Sequence, residues 1–156
     1  MDQKDLPSRL RELGYELPSV PEPAGSYVPA VRSGSLVFTA GQLPFSDGQL
    51  PFTGKVGGEV GVEEAKEAAR LCALNALAAA SVAAGSPENI TRIVKVTGYV
   101  ASAGGFNRQP EVLNGASELL GEVFGEAGRH ARSAVGVAEL PLDSPVEIEL
   151  VVETSA

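Results

Sequence analysis

Two residues near the C-terminal end of the sequence, Arg132 and Glu147, have the types and spacing to act on a small carboxylate-bearing molecule. A guanidinium can hold a carboxylate through two parallel hydrogen bonds. A carboxylate side chain nearby can take a proton from water. Together they point to hydrolysis of a small acid. Arg132 opens one apolar, strand-like run, and Glu147 sits early in the next, 146–152. Between the two runs, Leu140-Pro-Leu-Asp-Ser-Pro145 reads as a turn. The pattern predicts a hairpin that brings Arg132 and Glu147 together on neighbouring strands. The same placement would also make a plain cross-strand salt bridge on a half-exposed sheet.

Other chemistry is thinly represented. One cysteine and one histidine in the whole sequence leave no ligand set for a structural zinc site, and no clustered Asp/Glu pattern asks for a carboxylate-held magnesium, so no metal site is assigned. His130 has no serine or cysteine partner in a known motif and reads as positional. Cys72 falls in an alanine-rich helical run and reads as a small buried hydrophobe. Gly57-Gly58 precedes a helix but lacks the lysine of a phosphate-binding loop.

The elements that must carry Arg132 and Glu147 are legible from the patterning. Residues 4–13 suggest a short polar helix, and 18–24 a proline-rich linker, so 1–23 form an N-terminal arm and 24–156 the main domain. Runs at 27–31 and 36–40 read as two short strands around a Ser-Gly turn. A glycine-rich loop follows to Gly61. The strongest helix is 63–84, with Glu63, Glu64 and Glu67 near its positive end and Gly85 as its stop. Leu71, Leu74, Leu77 and Val82 mark its expected apolar face. A long strand at 93–101, a second main helix at 110–124 and strands at 133–138 and 146–152 complete an α/β mixed sheet.

The bulk properties limit the partners. With 156 residues the chain is long enough for one domain with a real core. A formal net charge of -8 argues against the nucleic-acid backbone as a partner. The densest basic group is only Arg129, His130 and Arg132. A single cysteine precludes an intrachain disulfide and fits a reducing, cytoplasmic setting. The first residues lack the apolar core of a signal peptide. The run at 71–84 suggests a buried helix rather than a membrane span.

The segment His130-Ala-Arg-Ser-Ala-Val-Gly-Val-Ala-Glu-Leu-Pro141, followed by Val146-Glu-Ile-Glu149, resembles the signature of the RidA/YjgF-like family. Gly25-Ser-Tyr-Val-Pro-Ala-Val31 is similar to that family's first strand, and Phe38-Thr-Ala-Gly-Gln-Leu-Pro44 to its second. Asn114 falls where the family has an asparagine in its second helix. The resemblance covers about 24–153. The run from Asn114 to Ala138 is most similar to a branch with an extended N-terminus.

The resemblance implies a chorismate-mutase-like fold, with two main helices packed on one face of the sheet. It also implies a homotrimer with ligand clefts between subunits. RidA-type members hydrolyse reactive 2-imino and 2-enamino acids to 2-oxo acids and ammonia, which implies a 2-iminobutanoate/2-iminopropanoate deaminase-like hydrolase. Arg132 matches the arginine that grips the substrate carboxylate, and Glu147 the acid that helps hold the attacking water. Tyr27, Gly41 and Asn114 match cleft positions. Ala134 stands where the RidA type usually has a cysteine, at a position whose backbone carbonyl can help place the water. The loops at 46–61 and 103–114 are longer than in the short RidA type. No cofactor is implied, since water is the only co-substrate. The alternatives are a trimer that binds or senses small carboxylates such as 2-oxo acids without catalysis, and an endoribonuclease, which the acidic balance disfavours.

Overall fold

A 23-residue helix, α2 (Val62–Ala84), forms the centre of the molecule. Its start is set by Glu64, whose carboxylate accepts from the Gly61 backbone N–H at 3.1 Å, closing half of a capping box. Its end is Gly85, at φ 90° in the left-handed region that suits glycine. The computed structural model describes residues 5–20 and 25–155. The expected boundary at 23/24 and most of the proline-rich linker lie outside the described residues.

In chain order the remaining elements are α1 (Leu6–Glu12), β1 (Ala30–Ser33), β2 (Leu36–Thr39), β3 (Ile90–Ala101), α3 (Gln109–Phe124), β4 (Ala131–Val137) and β5 (Val146–Thr154). The strands form one mixed sheet in the order β1-β2-β5-β3-β4. Only β3 and β4 run parallel, and α3 provides the crossover such a pair requires. The β1–β2 turn is Gly34-Ser35, with Gly34 at φ 63°. β1 begins at Ala30 rather than at 27 because Pro29 has no N–H to donate. The Pro29 carbonyl instead accepts from Ala40 at 2.7 Å.

One face of the sheet is covered and the other is not. Along β5, Val146, Ile148, Leu150 and Val152 are buried, whereas Glu147 and Glu149 alternate onto the opposite face. Helices α2 and α3 pack on the buried face, where Val96 and Val100 of β3 join them. The helices approach closely: a Cβ on Gly115 of α3 would sit 2.1 Å from the Lys66 carbonyl oxygen of α2. Gly98 of β3 leaves room for Leu113 in the same way. Helix α1 adds Leu6 and Leu10 to the same core, and Arg9 donates to the Val123 carbonyl at 2.8 Å.

Two expectations need correction. The buried face of α2 is mostly alanine, from Ala65 through Ala84, and Val82 is 70% exposed. Small side chains let the helix lie close to the sheet and to α3; of the expected stripe, Leu74 and Leu77 are buried in the core and Leu71 packs against it, whereas Val82 faces out. The predicted hairpin between β4 and β5 is also absent. β5 pairs with β2 and β3, while β4 pairs with β3, so β3 lies between the strands of Arg132 and Glu147. α2 is also long and apolar enough to cross a membrane, but 72% of its apolar window is buried inside the molecule. It is the core helix.

Candidate functional site

The register shows how far apart the two chemistry-bearing residues are. Arg132 is level with Val96 of β3, and Glu147 with Tyr99. These positions are two strand spacings apart laterally and three residues apart along the strands, roughly 14 Å between Cα atoms. They also differ in face. Arg132 has the parity of buried Val96 and lies on the helix side, whereas Glu147 has the parity of Tyr99 and lies on the helix-free side. The predicted site residues therefore divide into two clusters within the chain, and the cross-strand salt bridge does not form.

The first cluster surrounds Arg132 on β4, at the edge of the sheet. Its Nη1 donates to Asn114 Oδ1 at 2.8 Å and to Ser117 Oγ at 3.1 Å, both on α3. Asn114 and Ser117 are three apart and so share a helix face. Nε and Nη2 make no hydrogen bond among the described residues, which leaves the fork edge of the guanidinium available for a carboxylate. His130 stands beside this pair, with Nε2 2.8 Å from Ser117 Oγ and Nδ1 2.7 Å from the Gly128 carbonyl. Ala134, two residues further along β4, is level with Gly98.

The second cluster surrounds Glu147. A cleft of about 660 Å³ is lined by Tyr27, Gly41, Gln42, Asn75, Leu142 and Glu147, with Pro18 and Ser19 on its wall. Gly41 is held against Glu147 by its neighbour: Gln42 exchanges backbone hydrogen bonds with Ile148, at 2.8 and 3.0 Å. A Cβ at Gly41 would lie 2.6 Å from Glu147 Oε1, so any larger residue here would push the carboxylate from its present position. Asn75 of α2 pins the rest of the turn, donating to the carbonyls of Leu43 at 2.9 Å and Phe45 at 3.1 Å.

Burial pushes the Glu147 carboxyl above its ordinary value, and the negative charge of Glu149 adds to the shift. Glu149 is held by the Tyr99 hydroxyl, which donates at 2.6 Å. That bond, followed by burial and the nearby carboxylates, raises Tyr99 to about 12. Cys72 is fully buried and its thiol is pushed well up by burial, then by the charge of Glu147. It is not a nucleophile in this state.

The cleft mouth stores strain. Leu142 and Asp143 both have φ 58°, a conformation that costs a non-glycine residue roughly 1–2 kcal/mol. The Asp143 carbonyl is tied down by the Gly54 N–H at 2.8 Å, and the Leu142 side chain is left 66% exposed at the opening. Asn75, Ser117, Tyr99 and Leu142 went unrecognised at the sequence level. Only Asn75 carried a local signal, as a polar residue interrupting an alanine-rich face. Among the described residues no cluster of three or more metal-ligating side chains occurs.

A family model described as "YjgF/chorismate mutase-like, putative endoribonuclease" matches residues 7–154. Protein TCP17 of Trypanosoma cruzi is 43% identical over 147 residues, covering 94% of this chain and 92% of that protein. The crystal structure of Atu1372 from Agrobacterium tumefaciens, a protein of unknown function, is 46% identical with a TM-score of 0.89, covering 96% of this chain and 92% of that one. TdcF of E. coli, solved with bound serine, is 31% identical with a TM-score of 0.64, covering 87% of this chain and 94% of that one.

Proposed function

The chain belongs to the YjgF/chorismate mutase-like family and has its α/β mixed-sheet fold, and from that premise we propose that it is a cytoplasmic homotrimer that hydrolyses small 2-imino or 2-enamino acids to 2-oxo acids and ammonia. We place it in the branch with an extended N-terminus, with 1–23 as the arm and 24–156 as the RidA-like domain. The observation that carries the proposal is the division of the site. Arg132 and Asn114 form one half, Glu147, Gly41 and Tyr27 the other, and the sheet separates them within a protomer.

A cyclic trimer joins unlike surfaces head to tail. It would set the Arg132 half of one subunit against the Glu147 half of the next. Two features favour such an assembly. β4 is a sheet edge with β3 as its sole strand neighbour among the described residues, and an open edge invites a partner. The helix-free face also leaves Val31, Phe38 and Val135 about half exposed, an apolar surface suited to burial between copies.

In the proposed reaction the Arg132 fork holds the substrate carboxylate, with Asn114 and Tyr27 shaping the cleft. Water adds to the carbon of the iminium: its oxygen bonds to carbon, the π pair moves to nitrogen, and a water proton passes to Glu147. The main-chain carbonyl of Ala134 would help place that water. Glu147 then returns the proton to the amino group. The C–N bond then breaks with its pair leaving on ammonia, the hydroxyl proton passes to the Glu147 carboxylate as C=O forms, and the 2-oxo acid remains. A carboxyl raised above its usual range suits a group that both takes and gives a proton. The serine bound to TdcF favours a small carboxylate as the ligand class. It also keeps a second reading open, a trimer that binds such acids without turnover. The acidic balance of the chain weighs against a ribonuclease.

The test is to generate 2-iminobutanoate in place with an amino-acid oxidase, add the protein and follow 2-oxobutanoate and ammonia. Acceleration is expected, with Glu147→Gln losing about 10²- to 10⁴-fold in rate while 2-oxobutanoate affinity holds. Binding without acceleration favours the non-catalytic reading. A stable monomer in sedimentation equilibrium at micromolar concentration would overturn the shared cleft.

A further inference from the structure

We propose that Ser117 and His130 are positioning residues for Arg132, forming a one-directional hydrogen-bond relay that orients the guanidinium fork toward the proposed inter-subunit cleft. The inference rests on the reading of Arg132 as the carboxylate anchor. It concerns residues of the Arg132 cluster to which the proposed reaction gives no role: Ser117 is on α3, and His130 precedes Arg132 by two positions.

The direction of the relay follows from which atoms can donate. The Gly128 carbonyl only accepts, so the His130 nitrogen 2.7 Å away, Nδ1, carries a proton. In the neutral ring Nε2 is then an acceptor. The Ser117 hydroxyl, 2.8 Å from Nε2, donates to it. Ser117 Oγ is thereby left with its lone pairs for Arg132 Nη1, at 3.1 Å. Each link fixes the next, from Gly128 to His130 to Ser117 to Arg132. The starting point is itself rigid. A Cβ at Gly128 would sit 2.3 Å from the Leu120 carbonyl oxygen, so the chain there lies tight against α3.

The relay and Asn114 together occupy both hydrogens of Nη1. That leaves Nε and Nη2, which lie along one edge of the guanidinium and match the two oxygens of a carboxylate. Without the relay, the arginine keeps its charge and one partner but can swing about Asn114. A fork that must first be oriented binds less tightly than one already oriented. A protonated His130 would break the direction of the chain, since Nε2 would donate to Ser117 and set a positive charge beside Arg132.

The test uses the full-length protein with Ser117→Ala, Ser117→Thr, His130→Gln and the reference Arg132→Ala. The probe is 2-oxobutanoate, titrated by calorimetry, with melting temperature recorded for each protein. Ser117→Ala is expected to weaken binding about 3- to 10-fold and to raise KM for the imine by the same factor, with kcat held. Ser117→Thr keeps the hydroxyl, and His130→Gln keeps an acceptor for it, so both should stay near wild type. A readout that needs no ligand comes from nitrogen NMR. His130 is the chain's single histidine, so its ring signals are unambiguous and should report the Nδ1–H tautomer.

Three results would overturn the relay: an Nε2–H tautomer in the wild type, a Ser117→Ala protein that binds normally, or one that loses melting temperature while keeping affinity and KM. If Arg132→Ala loses affinity while Ser117→Ala keeps it, the relay alone fails. If Arg132→Ala itself binds normally, the carboxylate-anchor reading fails and takes the relay with it. Should Ser117→Ala fail to fold, His130→Phe fills the same space without an acceptor and carries the same expectation.

Discussion

Arg132→Ala offers the most direct test of the site. Among the described residues Arg132 makes two hydrogen bonds, both through Nη1, to Asn114 and Ser117. It sits on an edge strand with its fork edge unengaged, so its removal takes little from the core. Asn114 and Ser117 are only partly buried, and water can replace the lost donor. The fold should therefore survive. Binding should not, because a hydrogen bond to a charged group is worth about 1.5–3 kcal/mol. At 1.4 kcal/mol per tenfold, that range corresponds to a loss of about 12- to 140-fold in affinity for a 2-oxo acid. Arg132→Lys should recover only part of it, since an ammonium is a point charge without a planar fork. Calorimetric titration of 2-oxobutanoate into the three proteins, each checked by thermal melting, reads the effect. Equal affinity in all three would show that Arg132 does not anchor the carboxylate. A large drop in melting temperature would show that it is structural.

Three further outcomes are expected. The raised Glu147 pKa means that its contribution to stability is fully present below the unfolded value, 4.5, and is lost as pH rises through the higher folded value. Glu147→Gln should therefore melt higher than wild type at pH 7, with the gap closing below pH 4.5; a variant less stable at pH 7 contradicts the burial argument. In α3, Gly115→Ala drives a methyl against the Lys66 carbonyl and should cost about 1–3 kcal/mol or more. Gly121→Ala, on the same helix with nothing within 4 Å, should gain about 0.5–1 kcal/mol; equal effects in denaturant unfolding would refute the close helix packing. Alkaline absorbance titration should show a phenol ionising near pH 12 that disappears in Tyr99→Phe; loss of a step near pH 10 instead would remove the Tyr99–Glu149 bond from the account.

Much of the architecture was readable from the sequence because its signals are local. Gly61, the early glutamates and Gly85 bracket α2 within a residue of the expected ends. Apolar residues alternating with Glu147 and Glu149 mark β5 and identify the face that carries Glu147. The apolar residues expected of α3, Val112, Leu113, Leu119, Leu120 and Phe124, are all buried. The residue types proposed to grip a carboxylate and handle water can be named from the sequence alone, since a fork donor and a carboxylate are chemically distinctive wherever they fall.

Strand adjacency was decided only by the tertiary structure. Leu140 to Pro145 looks like the turn of a hairpin, yet β5 crosses to lie between β2 and β3, because its Val146, Ile148, Leu150 and Val152 face is buried most fully at the centre of the sheet beneath the helices. β4 is left at the edge, paired in parallel with β3. One change of partner then reverses the meaning of the pair. Arg132 takes the parity of Val96 and turns toward α3, while Glu147 takes the parity of Tyr99 and turns away from it. Side-chain direction along a strand follows from position alone, but the distance and face between two strands depend on every element packed between them. The residues that complete each half, Ser117 and His130 beside Arg132 and Asn75 and Gly41 beside Glu147, meet them across 15, 2, 72 and 106 positions of sequence, and for all but His130 only the folded chain brings them near.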